Sequence, residues 1–149
     1  MTEPMPPPDD APLPGGAVHL LPVRVYYEDT DLAGVVYYAN YLRFIERGRT
    51  EWARAAGIDQ GRLRAEAGTV FAVRRVEADY LAPARFDDLL EVATGVEAAS
   101  GARVTLWQEV RRGGRALFRA RVVLVAMDEG GRPRRIPLAL RGLGAGGAG

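Results

Sequence analysis

The stretch from Tyr26 to Tyr41 reads Tyr-Tyr-Glu-Asp-Thr-Asp-Leu-Ala-Gly-Val-Val-Tyr-Tyr-Ala-Asn-Tyr. It lies between a strand-like run, Leu21 to Tyr27, and a helix-like run, Tyr41 to Ala56. A strand that ends in carboxylates and leads into a helix places acidic side chains beside N–H groups that have no partner within the helix. This junction therefore predicts both a change of secondary structure and a polar site.

The run after this junction has the period of an amphipathic helix. Its predicted buried face consists of Tyr41, Ile45, Gly48, Trp52, Ala55 and Ala56. Asn40 is predicted to be the N-cap, and Gly57 is predicted to end the helix. Asp59 is predicted to cap a short second helix that ends at Gly68.

The chain beyond Gly68 has the pattern of β-strands, rich in β-branched and aromatic residues. The predicted strands are Val70 to Leu81, Leu89 to Ala98, Arg103 to Arg111 and Ala116 to Met127. Short glycine-containing turns join the last three into an antiparallel meander. We therefore expect an α+β fold in which one long helix is wrapped by a curved antiparallel sheet of about five to six strands. The other face of that sheet is left to a partner subunit or to solvent.

Composition sets the broad class of protein. The length of 149 residues and the hydrophobic content of 48% favour one globular domain. A formal net charge of +1 gives no reason to expect a nucleic-acid partner. Residues 1–16 are rich in proline and residues 142–149 in glycine and alanine, so we expect a flexible arm and tail around a domain at 17–141. The chain has neither a signal-peptide pattern nor a long apolar run, so we expect a soluble, cytoplasmic protein without membrane insertion.

Residue types exclude several kinds of catalytic site. The chain has one serine, Ser100, one histidine, His19, and neither cysteine nor lysine. Ser-His-Asp, Cys-His and Ser-Lys nucleophilic systems therefore cannot be assembled in the usual way, and we expect neither a metal site nor a cofactor. Carboxylate and tyrosine side chains remain for acid–base or nucleophilic chemistry, and both concentrate between Tyr26 and Tyr41.

Asp31 is the strongest candidate in that stretch. It lies three residues before Gly34 and just ahead of the predicted helix, whose first N–H groups, around Tyr37 to Ala39, can hold the oxygen of a polarised carbonyl. A carboxylate beside that carbonyl can attack it or activate water. Alternatively, Asp31 is only a turn former that bonds its own backbone. Gly34 fits both interpretations, because glycine permits a positive φ and also close approach by a ligand.

Arginines near the end of the chain form a second candidate. The segment Arg132-Pro133-Arg134-Arg135-Ile136-Pro137 follows the last predicted strand. Guanidinium groups bind phosphate well, so Arg134 and Arg135 are candidates for holding a phosphorylated nucleotide carrier. The alternative is a solvated run of charge.

The residues from Tyr27 to Arg47 resemble a motif of the hotdog-fold acyl-CoA thioesterases. Within them, the motif is most similar to the 4-hydroxybenzoyl-CoA thioesterase group and its Tol-Pal-associated (YbgC-type) branch. The segment Gly131 to Pro137 also resembles that branch. The resemblance implies that Asp31 is the catalytic carboxylate, that the backbone N–H of Tyr38 polarises the thioester carbonyl, and that Gly34 is the motif glycine.

Further expectations follow from this resemblance. It implies dimers that join their sheets edge to edge, commonly paired into tetramers, with the thioester site at the dimer interface. Tyr37 and Asn40 are expected to contact the substrate, together with Arg134 and Arg135. Coenzyme A would be part of the substrate, and association with the Tol-Pal envelope complex is a possible partnership. The chain departs from the YbgC-type branch at Tyr38, where that branch usually carries histidine and the hydroxybenzoyl-type enzymes carry an aromatic residue.

The expected function is hydrolysis of an acyl-CoA thioester with an aspartate carboxylate. One alternative is a non-catalytic acyl-CoA-binding or scaffold module. A second is an acyl-thioester hydratase or dehydratase, which normally needs an Asp and His pair, whereas His19 lies far from the motif. The choice of acyl group is expected to depend on the packing of Trp52, Phe71 and the partner subunit.

Overall fold

The computed structural model describes residues 18–141, so the predicted arm and tail lie outside the described residues. The elements, in chain order, are β1 (Val18–Arg24), a 3₁₀ turn (Tyr27–Asp29), α1 (Asn40–Ala55), α2 (Gln60–Ala67), β2 (Val70–Tyr80), β3 (Leu89–Ser100), β4 (Arg103–Arg112), β5 (Arg115–Met127) and α3 (Leu138–Arg141). None of the helices within this range is long and apolar enough to cross a membrane.

The described part of the chain forms one sheet of five strands in the order β1-β3-β4-β5-β2. Every neighbouring pair is antiparallel, and β3, β4 and β5 form the predicted meander. The helix α1 packs across β1, β3 and β4. The predicted α+β arrangement of one long helix on one antiparallel sheet is confirmed, with β1 and β2 as the outer strands.

The predicted boundaries are wrong at the strand-to-helix junction. β1 ends at Arg24 rather than Tyr27, because the N–H of Tyr26 donates to Asp29 Oδ2 at 2.8 Å and closes a turn that a strand does not allow. The cap position of α1 is Ala39, and Asn40 is the first helical residue. The Asn40 side chain donates instead to Asp29 Oδ1 at 2.8 Å, so its predicted role as N-cap is wrong.

The helix boundaries further along were predicted more closely. Gly57, with φ of +87°, follows the end of α1 as expected. Asp59 caps α2 by accepting a hydrogen bond from the Arg62 N–H at 3.1 Å, and Gly68 ends it in the left-handed region. On α1, however, Ala55 is exposed, contrary to prediction. The buried side chains of that helix are Tyr41, Phe44, Ile45, Gly48, Trp52 and Ala53.

The middle of α1 lies unusually close to the sheet. A Cβ on Gly48 would be 2.5 Å from Val92 Cγ1, so only glycine lets the helix backbone approach β3 this closely. Gln108 fixes the contact from β4, because its Nε2 donates to the Ile45 carbonyl and to Thr94 Oγ1, each at 2.9 Å. We call Gly48, Val92, Thr94 and Gln108 the helix–sheet seam.

The outer strand β2 contains a bulge. Val73 is opposite Leu124 and Arg75 is opposite Val123, so Arg74 is an additional residue with no counterpart on β5. Beyond this position the side chains that face α1 shift by one residue, and Tyr80, opposite Phe118, again lies on the helix side.

The sheet face away from α1 is charged. Arg119 and Glu109 form an ion pair in which each side chain is 2% exposed. Arg111 also bonds Glu109, and the Arg121 guanidinium lies 4.4 Å from the centre of the Trp107 ring.

Candidate active site

The strand-to-helix loop, residues 25–39, folds into a small hairpin with Asp31 near its tip. Thr30 and Val36 form an antiparallel bridge, and the Asp31 N–H donates to the Val35 carbonyl at 3.0 Å. Gly34 donates its N–H to the Asp31 carbonyl at 3.0 Å and has φ of +79°. A Cβ on Gly34 would meet nothing within 4 Å, so within the chain glycine is required for its backbone conformation rather than for space.

The two oxygens of the Asp31 carboxylate have different surroundings. Oδ1 accepts the Ala33 N–H at 2.9 Å, which is the Asx-turn that the sequence left open as an alternative. Oδ2 accepts no hydrogen bond within residues 18–141, and the side chain is exposed. One oxygen therefore orients the carboxylate, and the other is left available for a substrate or for water.

Asp29, two residues earlier, is a structural carboxylate that sequence reasoning did not single out. It is 4% exposed, and its two oxygens accept from the Tyr26 N–H and from Asn40 Nδ2. Its carbonyl accepts the Tyr37 N–H at 2.8 Å. Asp29 thus ties the end of β1, the loop and the start of α1 together. Asn40, expected to contact the substrate, has its side-chain amide committed to Asp29.

The backbone at the start of α1 presents two N–H groups. The Asn40 N–H donates to the Tyr37 carbonyl at 2.8 Å, which closes a turn with Tyr38 and Ala39 at its central positions. Within the described residues, the N–H groups of Tyr38 and Ala39 donate no hydrogen bond. Ala39 has helical dihedral angles, φ of −71° and ψ of −20°, so both groups lie in the first turn, where helix N–H groups point outward along the axis. The N–H predicted as the donor, that of Tyr38, therefore lies next to a second N–H, that of Ala39.

The loop is held against the segment that follows β2. The Val36 N–H donates to the Ala84 carbonyl at 2.8 Å, and the Ala84 N–H donates to the buried Tyr41 hydroxyl at 3.0 Å. The Tyr80 hydroxyl, at the end of β2, donates to the Tyr38 carbonyl at 3.0 Å. Burial raises the pKa of Tyr41 above its ordinary value.

A cavity of about 320 Å³ opens beside Tyr38. Its walls include the rings of Tyr38, Tyr41 and Tyr80 and the side chains of Leu81 and Pro83. Tyr38 is 62% exposed, and its ring packs edge to face on Tyr37, which is also exposed. Of the five tyrosines between Tyr26 and Tyr41, only Tyr41 is buried in the described chain. The site is an open, aromatic-walled pocket.

The remaining predicted residues lie elsewhere. Arg134 and Arg135 follow β5 near the start of β2, where Arg134 Nη1 donates to the Ala67 carbonyl at 3.2 Å. Tyr80 lies at the opposite end of β2, a distance of about 33 Å along an extended strand. Trp52 and Phe71 line a separate cavity of about 120 Å³ between α1 and β2. A single chain therefore does not bring these residues to Asp31.

No group of three His, Asp or Glu side chains within residues 18–141 is arranged to hold a metal ion. His19 lies on β1 opposite Thr94 and is not brought to the loop. The described loop therefore offers a carboxylate oxygen on Asp31 and two backbone donors at Tyr38 and Ala39, and Tyr38 also lines a pocket.

Comparison with known proteins identifies close relatives. Residues 25–142 match the family model of the thioesterase-like superfamily. The acyl-CoA thioesterase YbgC of Haemophilus influenzae is 44% identical over 109 residues, covering 73% of this chain and 80% of that protein. The acyl-CoA thioester hydrolase YbgC of Escherichia coli O6:H1 is 41% identical over 121 residues, covering 80% of this chain and 90% of that protein.

Solved structures show the same architecture. A probable thioesterase from Bartonella henselae superposes with a TM-score of 0.78 at 40% identity, over 81% of this chain and all of that one. A mutant 4-hydroxybenzoyl-CoA thioesterase complexed with 4-hydroxybenzoyl-CoA also has a TM-score of 0.78, over 85% of this chain and 97% of that one. Its identity is 22%, and this second likeness concerns the fold alone.

Proposed function

This chain belongs to the thioesterase-like superfamily, and from that premise we infer that it is an acyl-CoA thioester hydrolase. The hotdog fold expected from the motif is confirmed by the likeness to thioesterase structures. The observation that carries the catalytic assignment is that one loop holds a carboxylate oxygen of Asp31 and the N–H groups of Tyr38 and Ala39, none of which has a hydrogen-bond partner within residues 18–141.

The proposed chemistry divides between these groups. The Tyr38 N–H donates to the thioester carbonyl oxygen and stabilises the negative charge that develops there. Asp31 either attacks the carbonyl carbon or takes a proton from the water that does so. The carbon–sulfur bond then breaks, CoA leaves as a thiolate, and water supplies the oxygen of the free acid. A thiolate is a good leaving group, so the site needs no strong general acid.

In the proposed chemistry Tyr38 acts through its backbone N–H, so the imidazole that the YbgC-type branch usually carries at this position is not needed. Because the N–H donor does not depend on the side chain, a tyrosine serves as well as a histidine for carbonyl polarisation. The tyrosine ring adds an aromatic wall to the 320 Å³ cavity, where we propose that the acyl group lies. Tyr37, whose ring packs on Tyr38, is proposed to contact the substrate at the rim.

We propose that a second copy of the chain completes the site. β2 is an outer strand, and antiparallel pairing of two β2 strands would place the start of one beside the end of the other. Arg134 and Arg135 of one copy would then lie near the Tyr80 end of its partner, where they can hold the phosphates of CoA. The same pairing would bring the cavity lined by Trp52 and Phe71 toward the partner's loop.

We propose that the assembly is a dimer or a homotetramer and that CoA enters as part of the substrate without a separate cofactor. A cytoplasmic location is consistent with acyl-CoA esters being made and used inside the cell. Association with the Tol-Pal complex is proposed from the likeness to the YbgC branch.

A thiol-release assay with short-chain, long-chain and aromatic acyl-CoAs tests the assignment directly. We expect stoichiometric release of CoA from at least one class, measured with a thiol reagent. Calorimetric titration of the same compounds is run in parallel. Binding without thiol release would instead identify a non-catalytic module, and addition of water across an acyl double bond with the thioester intact would identify a hydratase.

A further inference from the structure

The Tyr80 hydroxyl makes a contact that the proposed chemistry has not yet used. Tyr80 is the last residue of β2 and donates to the Tyr38 carbonyl oxygen at 3.0 Å, across 42 residues of sequence. The acceptor belongs to the same residue whose N–H is proposed to polarise the substrate. The bond joins a side-chain hydroxyl to a loop carbonyl, so it is not one of the backbone hydrogen bonds that build a helix or the sheet.

The hydrogen bond to the Tyr38 carbonyl also orients the N–H of the following residue, because both groups belong to one planar peptide. In a planar trans peptide the C=O and the N–H point in opposite directions, so holding the Tyr38 carbonyl also fixes the direction of the Ala39 N–H. The preceding carbonyl, that of Tyr37, is held in the same way by the Asn40 N–H at 2.8 Å, which fixes the Tyr38 N–H. Two consecutive peptides are therefore held by their oxygens, while their N–H groups have no acceptor in the part of the chain that the structure describes. A hydrogen bond to a carbonyl also polarises the N–H of its peptide.

Aromatic contacts and strand pairing position the Tyr80 ring, which is 48% exposed. Its ring centre lies 5.0 Å from that of Phe118 and 5.5 Å from that of Tyr41, and β2 pairs it directly with Phe118 on β5. Burial raises its pKa, and the nearby Tyr38 and Tyr41 hydroxyls raise it further, so the hydroxyl remains a donor at neutral and mildly alkaline pH.

We propose that Tyr80 is a positioning residue for an oxyanion site with two donors, in which it aims the Ala39 N–H beside the Tyr38 N–H at the thioester oxygen. This rests on the proposed function and adds to it a second donor and the group that orients it. Because the bond matters most when charge develops on the substrate oxygen, its loss is expected to lower kcat more than it raises KM.

The test compares Tyr80→Phe with the wild-type chain and with Tyr27→Phe. Tyr27 is 82% exposed, and its hydroxyl makes no hydrogen bond within the described residues, so this control removes a loop tyrosine hydroxyl without touching the site. Tyr80→Phe keeps the ring and its aromatic contacts. We expect kcat to fall about tenfold, the effect of losing roughly one hydrogen bond, with KM and the thermal midpoint nearly unchanged. Tyr27→Phe should leave all three values unchanged.

A spectroscopic measurement separates orientation from simple structural support. In the slow Asp31→Asn background, the infrared carbonyl stretch of a bound aromatic acyl-CoA is recorded with and without Tyr80→Phe. We expect a smaller shift to low frequency when the hydroxyl is absent. An unchanged kcat, or a lower kcat with an unchanged carbonyl frequency, would overturn the positioning role. If the wild-type chain releases no thiol at all, the proposed function fails and this role falls with it.

Discussion

The strand-to-helix loop and the helix–sheet seam both contact α1, and they treat polar groups in opposite ways. At the seam, Thr94 and Gln108 are fully buried and joined to each other and to the helix backbone. In the loop, one oxygen of Asp31 and the N–H groups of Tyr38 and Ala39 are left without partners in the described chain. The seam joins its polar groups to one another and to the helix, whereas the loop leaves polar groups that we propose bind a substrate. Substitutions should therefore affect folding at the seam and catalysis in the loop.

The largest effect is expected from Asp31→Asn. The amide keeps an oxygen for the Ala33 N–H but is neither a nucleophile nor a base, so kcat should fall at least about a hundredfold. The urea midpoint of unfolding should not move, because the side chain is exposed. The matched control is Glu28→Gln, an exposed carboxylate in the same loop, which should retain wild-type turnover. Near-normal thiol release by Asp31→Asn would refute the assignment of this carboxylate.

Asp29→Ala should affect both folding and catalysis, because Asp29 belongs to the loop but is buried like the residues of the seam. It would leave the Tyr26 N–H and Asn40 Nδ2 without acceptors, which we expect to lower the free energy of unfolding by about 2 kcal/mol or more. Turnover should also fall, since the loop loses its tie to α1. Asp29→Asn should be milder because the Asn40 amide can turn around to accept. Urea unfolding and kcat of both variants check this, and equal effects would contradict it.

Gly48→Ala tests the seam. The new methyl group would lie 2.5 Å from Val92 Cγ1, and we expect a loss of about 1–3 kcal/mol in the free energy of unfolding from overpacking. The kcat of the folded fraction should stay at the wild-type value. Gly61→Ala is the control, because its Cβ would meet only Asp59 Oδ1 at 3.5 Å and alanine favours the helix. A neutral Gly48→Ala would mean that α1 can move away from β3 at no cost.

The smallest expected effect concerns pH. Burial alone would raise the pKa of Asp88, but the Arg85 N–H and the Arg112 guanidinium outweigh it and lower the pKa below its ordinary 3.8. A folded-state pKa below the unfolded one gives stability that is present above the ordinary value and is lost as the pH falls through the folded value. Asp88→Asn should thus cost about a few tenths of a kcal/mol at pH 7, and this difference should vanish in acid. Thermal unfolding from pH 7 to pH 2.5 measures it.

Much of the fold was predictable because its signals are local. The strands after Gly68 follow alternation and glycine turns, and the Asp59 cap of α2 depends on residues three apart. Each of these predictions used a window of only a few residues. The choice of Asp31 and Gly34 as site residues rested instead on the longer motif resemblance and stays a prediction.

Features that depend on distant partners were not predictable. Asp29 and Asp31 look alike in sequence, and the partners that make Asp29 structural, the Tyr26 N–H and the Asn40 side chain eleven positions away, are known only from the fold. Tyr80 reaches Tyr38 across 42 residues, and nothing in its own strand pattern indicates it. The proposed arrangement of two donors could therefore be inferred only once the fold was known.

The bulge at Arg74 lets the side chains of both halves of β2 face α1. Strand side chains alternate, so an odd separation puts two residues on opposite faces, yet Val73 and Tyr80, seven positions apart, both face α1. Without the additional residue, the side chains in one half of the strand would point to the opposite face of the sheet. A single deletion at Arg74 would force either Phe71 and Val73 out of their cavity or Tyr80 away from Tyr38. The spacing between the 120 Å³ cavity and the Tyr80–Tyr38 hydrogen bond thus depends on one additional residue in an outer strand, so a change in strand length there would disturb both ends of β2.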